Sequence, residues 1–300
     1  MKKEENTADH GLTESSLAET VSGEPKKRSY RHTQHLRDVC TLAEFLHEVT
    51  NRVDDPLWPE DPQVLFRGHR TAEHTLIPGI ARPQVFDLTP GIEQSMLSDF
   101  KRRALPYLNF PHAELSDLEW LAIAQHHGMA TRLLDWSGSA LAALWFAVQA
   151  PAEPGGHGAV WMLTYDPPVT VLSPNSAQPF RVSRTGVVYP SHVSPRITAQ
   201  EGYFTLHRSY PGDNDTLRFQ PLECEDDYWQ RLQYVTIPAE AFARMRLDLA
   251  KAGVTPATLF PDLDGLARHM NCKYLFQQDE RDHHLLPASF NAAAIGNQDQ

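Results

Sequence analysis

The sequence predicts an α+β fold, with a mixed and mostly short-stranded sheet flanked by helices. Two patterns carry that prediction. Short apolar runs bounded by glycine and proline, at residues 63–68, 158–165 and 233–237, read as strands. Segments with apolar residues at helical spacing, such as Val39, Leu42, Phe45, Leu46, Val49 and Val53, lie before, between and after them. With 300 residues, 41% hydrophobic and 22% charged, the composition is that of a globular chain with length for an ordinary core.

Taken in order, residues 1–36 are rich in Glu, Lys, Ser and Thr and offer little apolar surface, so a disordered tail is expected. Residues 39–53 predict an amphipathic helix, ended by Asp55-Pro56 and Trp58-Pro59. A strand over 63–68 follows, stopped by Gly68, and then a helix over 93–105. Ser116 and Glu119 form an S-x-x-E capping box for the next helix, and Gly128 supplies a left-handed stop. Residues 140–148 are apolar on every side, which marks a helix buried all round. Short strands are expected at 187–189 and 202–206, and helices at 239–251 and 257–270. The domain is expected to span 37–285, with 286–300 a loose tail.

The net charge of −11 argues against broad adhesion to nucleic acid or to anionic membrane. It leaves room for a local cationic pocket, which needs only a few arginines. Cys40, Cys224 and Cys272 are odd in number and far apart, which disfavours a disulfide framework or zinc knuckle. No apolar run follows Met1-Lys2-Lys3, and the longest apolar stretch falls far short of the roughly 20 residues that span a bilayer. A cytoplasmic location is expected.

Three segments can carry chemistry. In Phe66-Arg67-Gly68-His69 the arginine sits at a strand end among apolar neighbours, and its guanidinium needs a carboxylate, carbonyl or phosphate partner. An internal Arg–Asp pair would satisfy it equally. Gly68 permits close backbone approach, and His69 and His74 read as loop histidines. In the second segment Gln125 falls where the stripe Leu118, Leu121, Ala122 expects an apolar side chain, so it must find a partner or line a cavity. His126 and His127 suit the helix C-terminus. They diverge by about 100° on the helix, so a shared metal is disfavoured. Asp135 is placed to pair with Arg67 or Arg132 or to cap the following helix, a task for which Ser137 and Ser139 compete. If the third segment runs into a strand, alternation puts Arg196, Thr198 and Gln200 on one face and Ile197, Ala199 and Glu201 on the other, a pattern that fits a site wall and a solvent-facing edge equally.

Together these segments resemble the FRG-domain family. The resemblance rests on Phe66-Arg67-Gly68, on the run from Gln125 through Thr131-Arg132 to Asp135-Trp136, and on Pro195-Arg196-Ile197 with Ala199 to Thr205. Its ordered matches lie within about 60–210, and residues 259–267 look like the ending of such proteins. The family in turn suggests a distant similarity to the ADP-ribosyltransferase fold, with NAD as the ligand. That similarity implies that Arg67, Gly68, Gln125, His126, Thr131, Arg132 and Arg196 contact the nucleotide. It also implies that Arg67, Asp135 and Gln200 or Glu201 act on the glycosidic bond, where a polar or negative group stabilises a developing oxocarbenium-like centre. Gln200 fits the family pattern better, whereas Glu201 is the acid, and alternation separates them.

Two readings of function follow. One is an NAD-consuming transferase that passes ADP-ribose to an unidentified macromolecular acceptor. The other is a nucleotide- or phosphate-binding sensor without catalysis, in stress or phage defence. A hydrolase using His126 or His127 as base is weaker, because the sequence has no G-x-S-x-G elbow or metal triad.

Overall fold

The computed structural model describes residues 35–53, 63–82, 87–107, 115–172, 178–189, 199, 201–275 and 277–281. The expected tails therefore lie outside the described residues, save His35 and Leu36, which open a strand. Among the described residues a seven-stranded sheet is formed by β1 (His35–Asp38), β2 (Gln63–His69), β3 (Leu133–Ser137), β4 (His157–Tyr165), β5 (Gly186–Val188), β6 (Gly202–Leu206) and β9 (Leu232–Pro238). Their spatial order is β1-β9-β4-β2-β3-β6-β5. Only β1 and β9 run parallel, so the sheet is mixed as expected. A separate ribbon pairs β7 (Tyr210–Pro211) with β8 (Leu217–Arg218).

Among the described residues the helices include α1 (Leu42–Val53), α2 (Ile92–Ala104), α3 (Asp117–His126), α4 (Ala140–Val148), α5 (Pro167–Thr170), α6 (Phe242–Lys251), α7 (Pro256–Leu259), α8 (Leu263–Leu275) and α9 (Gln278–Arg281). Two groups of them share one sheet face. Phe45 of α1, Leu144 of α4 and Phe242 of α6 pack on Phe66, Val160 and Val235. Leu97 of α2 and Leu118 and Leu121 of α3 pack on Leu133, Phe204 and Leu206. The other sheet face, with Leu65, Trp136 and Trp161, is covered by Leu76, Leu222 and Tyr228 from irregular segments.

The parting between the two helical groups positions the site. Phe66 and Ser137 are the one paired register between β2 and β3, so they share a face. The two-residue period then puts Asp135 on that face as well, under the gap between α3 and α4. Helix α4 lies unusually close to β2. A Cβ added to Gly68 would come within 1.9 Å of the Ala143 carbonyl oxygen and 2.8 Å of the Ala147 nitrogen. The expected close approach at Gly68 is therefore made by a helix crossing the strand.

Local signals act as read. The Ser116 backbone N–H donates to Glu119 Oε2 at 2.7 Å, the Glu119 N–H donates to Ser116 Oγ at 3.3 Å, and Gly128 has φ +90°. Ser139 caps α4, accepting from the Ala142 N–H at 3.3 Å, and Ser137 Oγ accepts the Ser139 N–H at 3.0 Å. Asp135 is left out of the capping. Three elements differ from expectation. Leu133–Ser137 is a strand where none was expected, because its alternate residues pack on opposite sheet faces. The helix expected over 257–270 is broken into α7 and α8 around Pro261, which cannot continue a helix. The one expected over 239–251 begins as a 3-10 turn at Ala239–Ala241.

Candidate functional site

Arg67 sits on β2 opposite Trp161 of β4, and 14% of its side chain is exposed. The β2–β3 ladder ends at Phe66 and Ser137, and the guanidinium takes over beyond it. Arg67 Nη1 donates to the Asp135 carbonyl oxygen at 2.6 Å and lies 3.6 Å from the Asp135 carboxylate. Arg67 Nε donates to His69 Nε2 at 2.9 Å. That bond requires the neutral tautomer with its proton on Nδ1. Burial, helped by the nearby Arg67 charge, holds the His69 pKa well below its ordinary value, which agrees with a neutral ring. Burial also lowers the Arg67 pKa, opposed by Asp135, but a guanidinium remains a cation at neutral pH.

Asp135 is held from the other side. Its Oδ1 accepts from Gln125 Nε2 at 2.6 Å, Gln125 Oε1 accepts from the Thr131 hydroxyl, and Thr131 Oγ1 accepts the Leu133 N–H at 3.1 Å. A continuous chain therefore runs Thr131, Gln125, Asp135, Arg67, His69. It explains why a glutamine stands on the apolar stripe of α3: it orients the carboxylate. The Asp135 side chain is 59% exposed, so the arrangement faces open space. On the Arg67 fork, Nε and Nη1 are engaged and the Nη2 edge has no bond among the described residues.

Two cavities meet at Arg67. The smaller, about 350 Å³, is lined by Gln125 and His126 of α3, Asp135 and Ser137 of β3, Phe146 of α4, and Phe260. The larger, about 730 Å³, is lined by His69, Arg70, Thr71, Arg82, Glu153 and His157. Arg67, Gly68 and Phe146 line both. Each volume falls within the range of roughly 300–1,000 Å³ usual for small-molecule sites.

The structure thus brings together Arg67, Gly68, Gln125, His126, Thr131 and Asp135. Arg132 goes elsewhere. It is 1% exposed, and Nε and Nη2 both engage the Glu93 carboxylate, the former at 3.0 Å. Its Nη1 donates to the Pro179 carbonyl at 3.0 Å, and the Phe180 and Phe219 rings flank it. A guanidinium so saturated has nothing left for a nucleotide, so Arg132 is corrected from ligand contact to interior ion pair. Glu201 precedes β6 with φ +45°, its carbonyl accepts the Gly138 N–H at 2.9 Å, and it lines neither cavity. Gln200 and Arg196 lie outside the described residues.

Other residues of the site were not expected. His69 ends β2, 7% exposed, and is an acceptor for Arg67 rather than a loop histidine. Its separation from Arg67 by two residues on a strand was the available signal, since that spacing shares a face. Phe260 arrives from a loop far along the chain, within the 259–267 segment already marked by resemblance. Nothing in the sequence pairs Arg82 with β2. Among the described residues no group of three His, Cys, Asp or Glu is placed to hold a metal, and no helix is long and apolar enough to cross a membrane.

Fold and site define a cleft-bearing α+β protein whose polar centre lies where the sheet parts between β2 and β3. Residues 62–155 match the family model of the FRG domain, a span that holds β2, α3, β3 and α4 and with them every member of the hydrogen-bonded chain. Over that span the chain carries an FRG domain. No curated protein and no solved structure matches it.

Proposed function

We propose that the cleft around Arg67 binds a phosphate-bearing nucleotide, with NAD the first candidate. One observation carries this reading: a mostly buried arginine has two of its donors fixed by His69 and Asp135, keeps a third without a bond among the described residues, and lines two adjoining cavities. Arginine held in this way recognises phosphate oxygens with a preset geometry. The resemblance to the aromatic-Arg-Gly strand of ADP-ribosyltransferases supports NAD over other nucleotides.

Asp135 supports a second step within the same reading. NAD supplies a glycosidic bond whose cleavage places positive charge on the ribose, and a carboxylate facing that position lowers the barrier. Asp135 is exposed to the smaller cavity and fixed by Gln125, which suits this role. The position of Glu201, outside both cavities, favours the non-catalytic sensor instead. Nicotinamide release and NAD affinity, measured together, separate the two. Transfer or hydrolysis requires NAD consumption that Asp135→Asn abolishes while binding persists. A sensor binds NAD or another nucleotide unchanged. Absence of any nucleotide affinity overturns the proposal as a whole.

A further inference from the structure

The larger cavity gathers cationic side chains. Arg67, Arg70 and Arg82 all line it, against the single carboxylate of Glu153. Arg70 follows β2 directly, and its Nη2 donates to the Pro151 carbonyl at 3.1 Å, a neutral partner. Arg82 follows the 3-10 turn Gly79–Ala81 and makes no ion pair among the described residues. It shares the cavity wall with Arg67 and His69, and its charge adds to the burial that lowers the pKa of each. By contrast Arg132 is paired with Glu93, Arg246 with Asp279 and Glu280, and Arg102 and Arg103 with Asp99. In a chain with net charge −11, three cations around one cavity with one acid run against the overall charge balance.

Like charges gathered beside a low-dielectric wall repel one another, and an anion entering between them relieves that cost. A single phosphate would satisfy the free edge of Arg67. Arg70 and Arg82 remain for further anionic oxygens. The smaller cavity differs: beside Arg67 it offers Asp135, Gln125 and the rings of Phe146 and Phe260, which suit a sugar and an uncharged ring and disfavour a second phosphate. We infer that the larger cavity is a diphosphate subsite, in which Arg70 and Arg82 join Arg67 on the phosphates while the sugar-bearing end of the ligand turns toward Asp135. This rests on the nucleotide reading above and fixes the direction in which the ligand lies. It also gives the ligand class: a nucleoside diphosphate or dinucleotide rather than a monophosphate.

The test is calorimetric titration of the full chain with inorganic pyrophosphate, ADP, AMP and adenosine. Arg70→Gln/Arg82→Gln is the variant of choice, since both side chains lie at the surface and neither lines the smaller cavity. ADP is expected to bind about tenfold or more tighter than AMP, and the double variant to lose about tenfold or more for ADP and pyrophosphate. Adenosine affinity should not change. Rising salt should weaken ADP binding in the unmutated protein more than in the variant. ADP binding that Arg67→Gln abolishes but the double variant leaves intact overturns the subsite and leaves the nucleotide reading standing. Pyrophosphate binding that depends on Arg70 and Arg82, with no affinity for any nucleotide, supports the subsite and sinks that reading. Equal affinity for ADP and AMP, unaffected by the double variant, also overturns the inference.

Discussion

Two arginine–carboxylate pairs lie on or beside β3, and they differ in what they leave unmade. Arg132 and Glu93 are both buried, joined by two parallel bonds, with carbonyls and aromatic rings closing the rest of the guanidinium. Arg67 and Asp135 meet less closely, at 3.6 Å, and the arginine's firmest contact is to a backbone carbonyl. The acid of the first pair is 4% exposed and that of the second 59%. Identical chemistry is thus spent inside the fold in one case and held open at a cleft in the other. In this fold a charged pair speaks for function through its unused donors and its exposure.

If that contrast is right, the largest loss of stability comes from the interior pair. Arg132→Met should destabilise the protein by about 3–5 kcal/mol, because Glu93 is left buried and unpaired. The double variant Arg132→Met/Glu93→Leu should recover most of this. Denaturant midpoints check it, and a single variant as stable as the parent would end the distinction. Next comes Gly68→Ala, which drives a methyl group into the α4 backbone and should cost about 1–3 kcal/mol. Because the helix can yield only by moving Phe146, any nucleotide affinity should fall with it.

Acid should act on the site's surroundings. The Arg67 neighbour His69 and the interior His207 both have pKa values lowered chiefly by burial, that of His207 to about 3 from 6.5. Above 6.5 both rings are neutral whether the chain is folded or not, so their contribution is full there. Below it the unfolded chain takes up protons that the folded chain refuses, so stability declines from 6.5 toward about 3. His207→Gln should flatten the fall in denaturant midpoint between about pH 7 and pH 5. A slope unchanged by that substitution would show that other groups set it. Smallest is Arg67→Gln itself, expected to cost about 1 kcal/mol, since water in the cleft can replace its bond to the Asp135 carbonyl.

How far the sequence foretold these features follows from how local each signal is. The capping box of α3 and the apolar helix α4 depend on neighbours within a few residues, and both stand where they were read. Strand β1 is four residues long and polar, and only its partner β9 makes it a strand. Strand β3 was missed because a five-residue segment with an acid at its centre shows no clear period until both sheet faces are known. Within the site, the odd glutamine on an apolar stripe and the lone arginine in an apolar strand were legible as polar groups needing partners. The roles of Arg67 and Arg132 were not separable, because Glu93 is 39 residues from one of them and pairing at that distance leaves no local mark. The cationic wall formed by Arg70 and Arg82 was hidden for the same reason.

The account depends on the open edge of one guanidinium. Isothermal titration of NAD into the unmutated protein and into Arg67→Gln, with the unfolding midpoint of each recorded, tests it most directly. We expect binding to the former, about hundredfold weaker binding to the latter, and closely similar midpoints. Equal affinity in the two proteins, or no affinity in either, would contradict it.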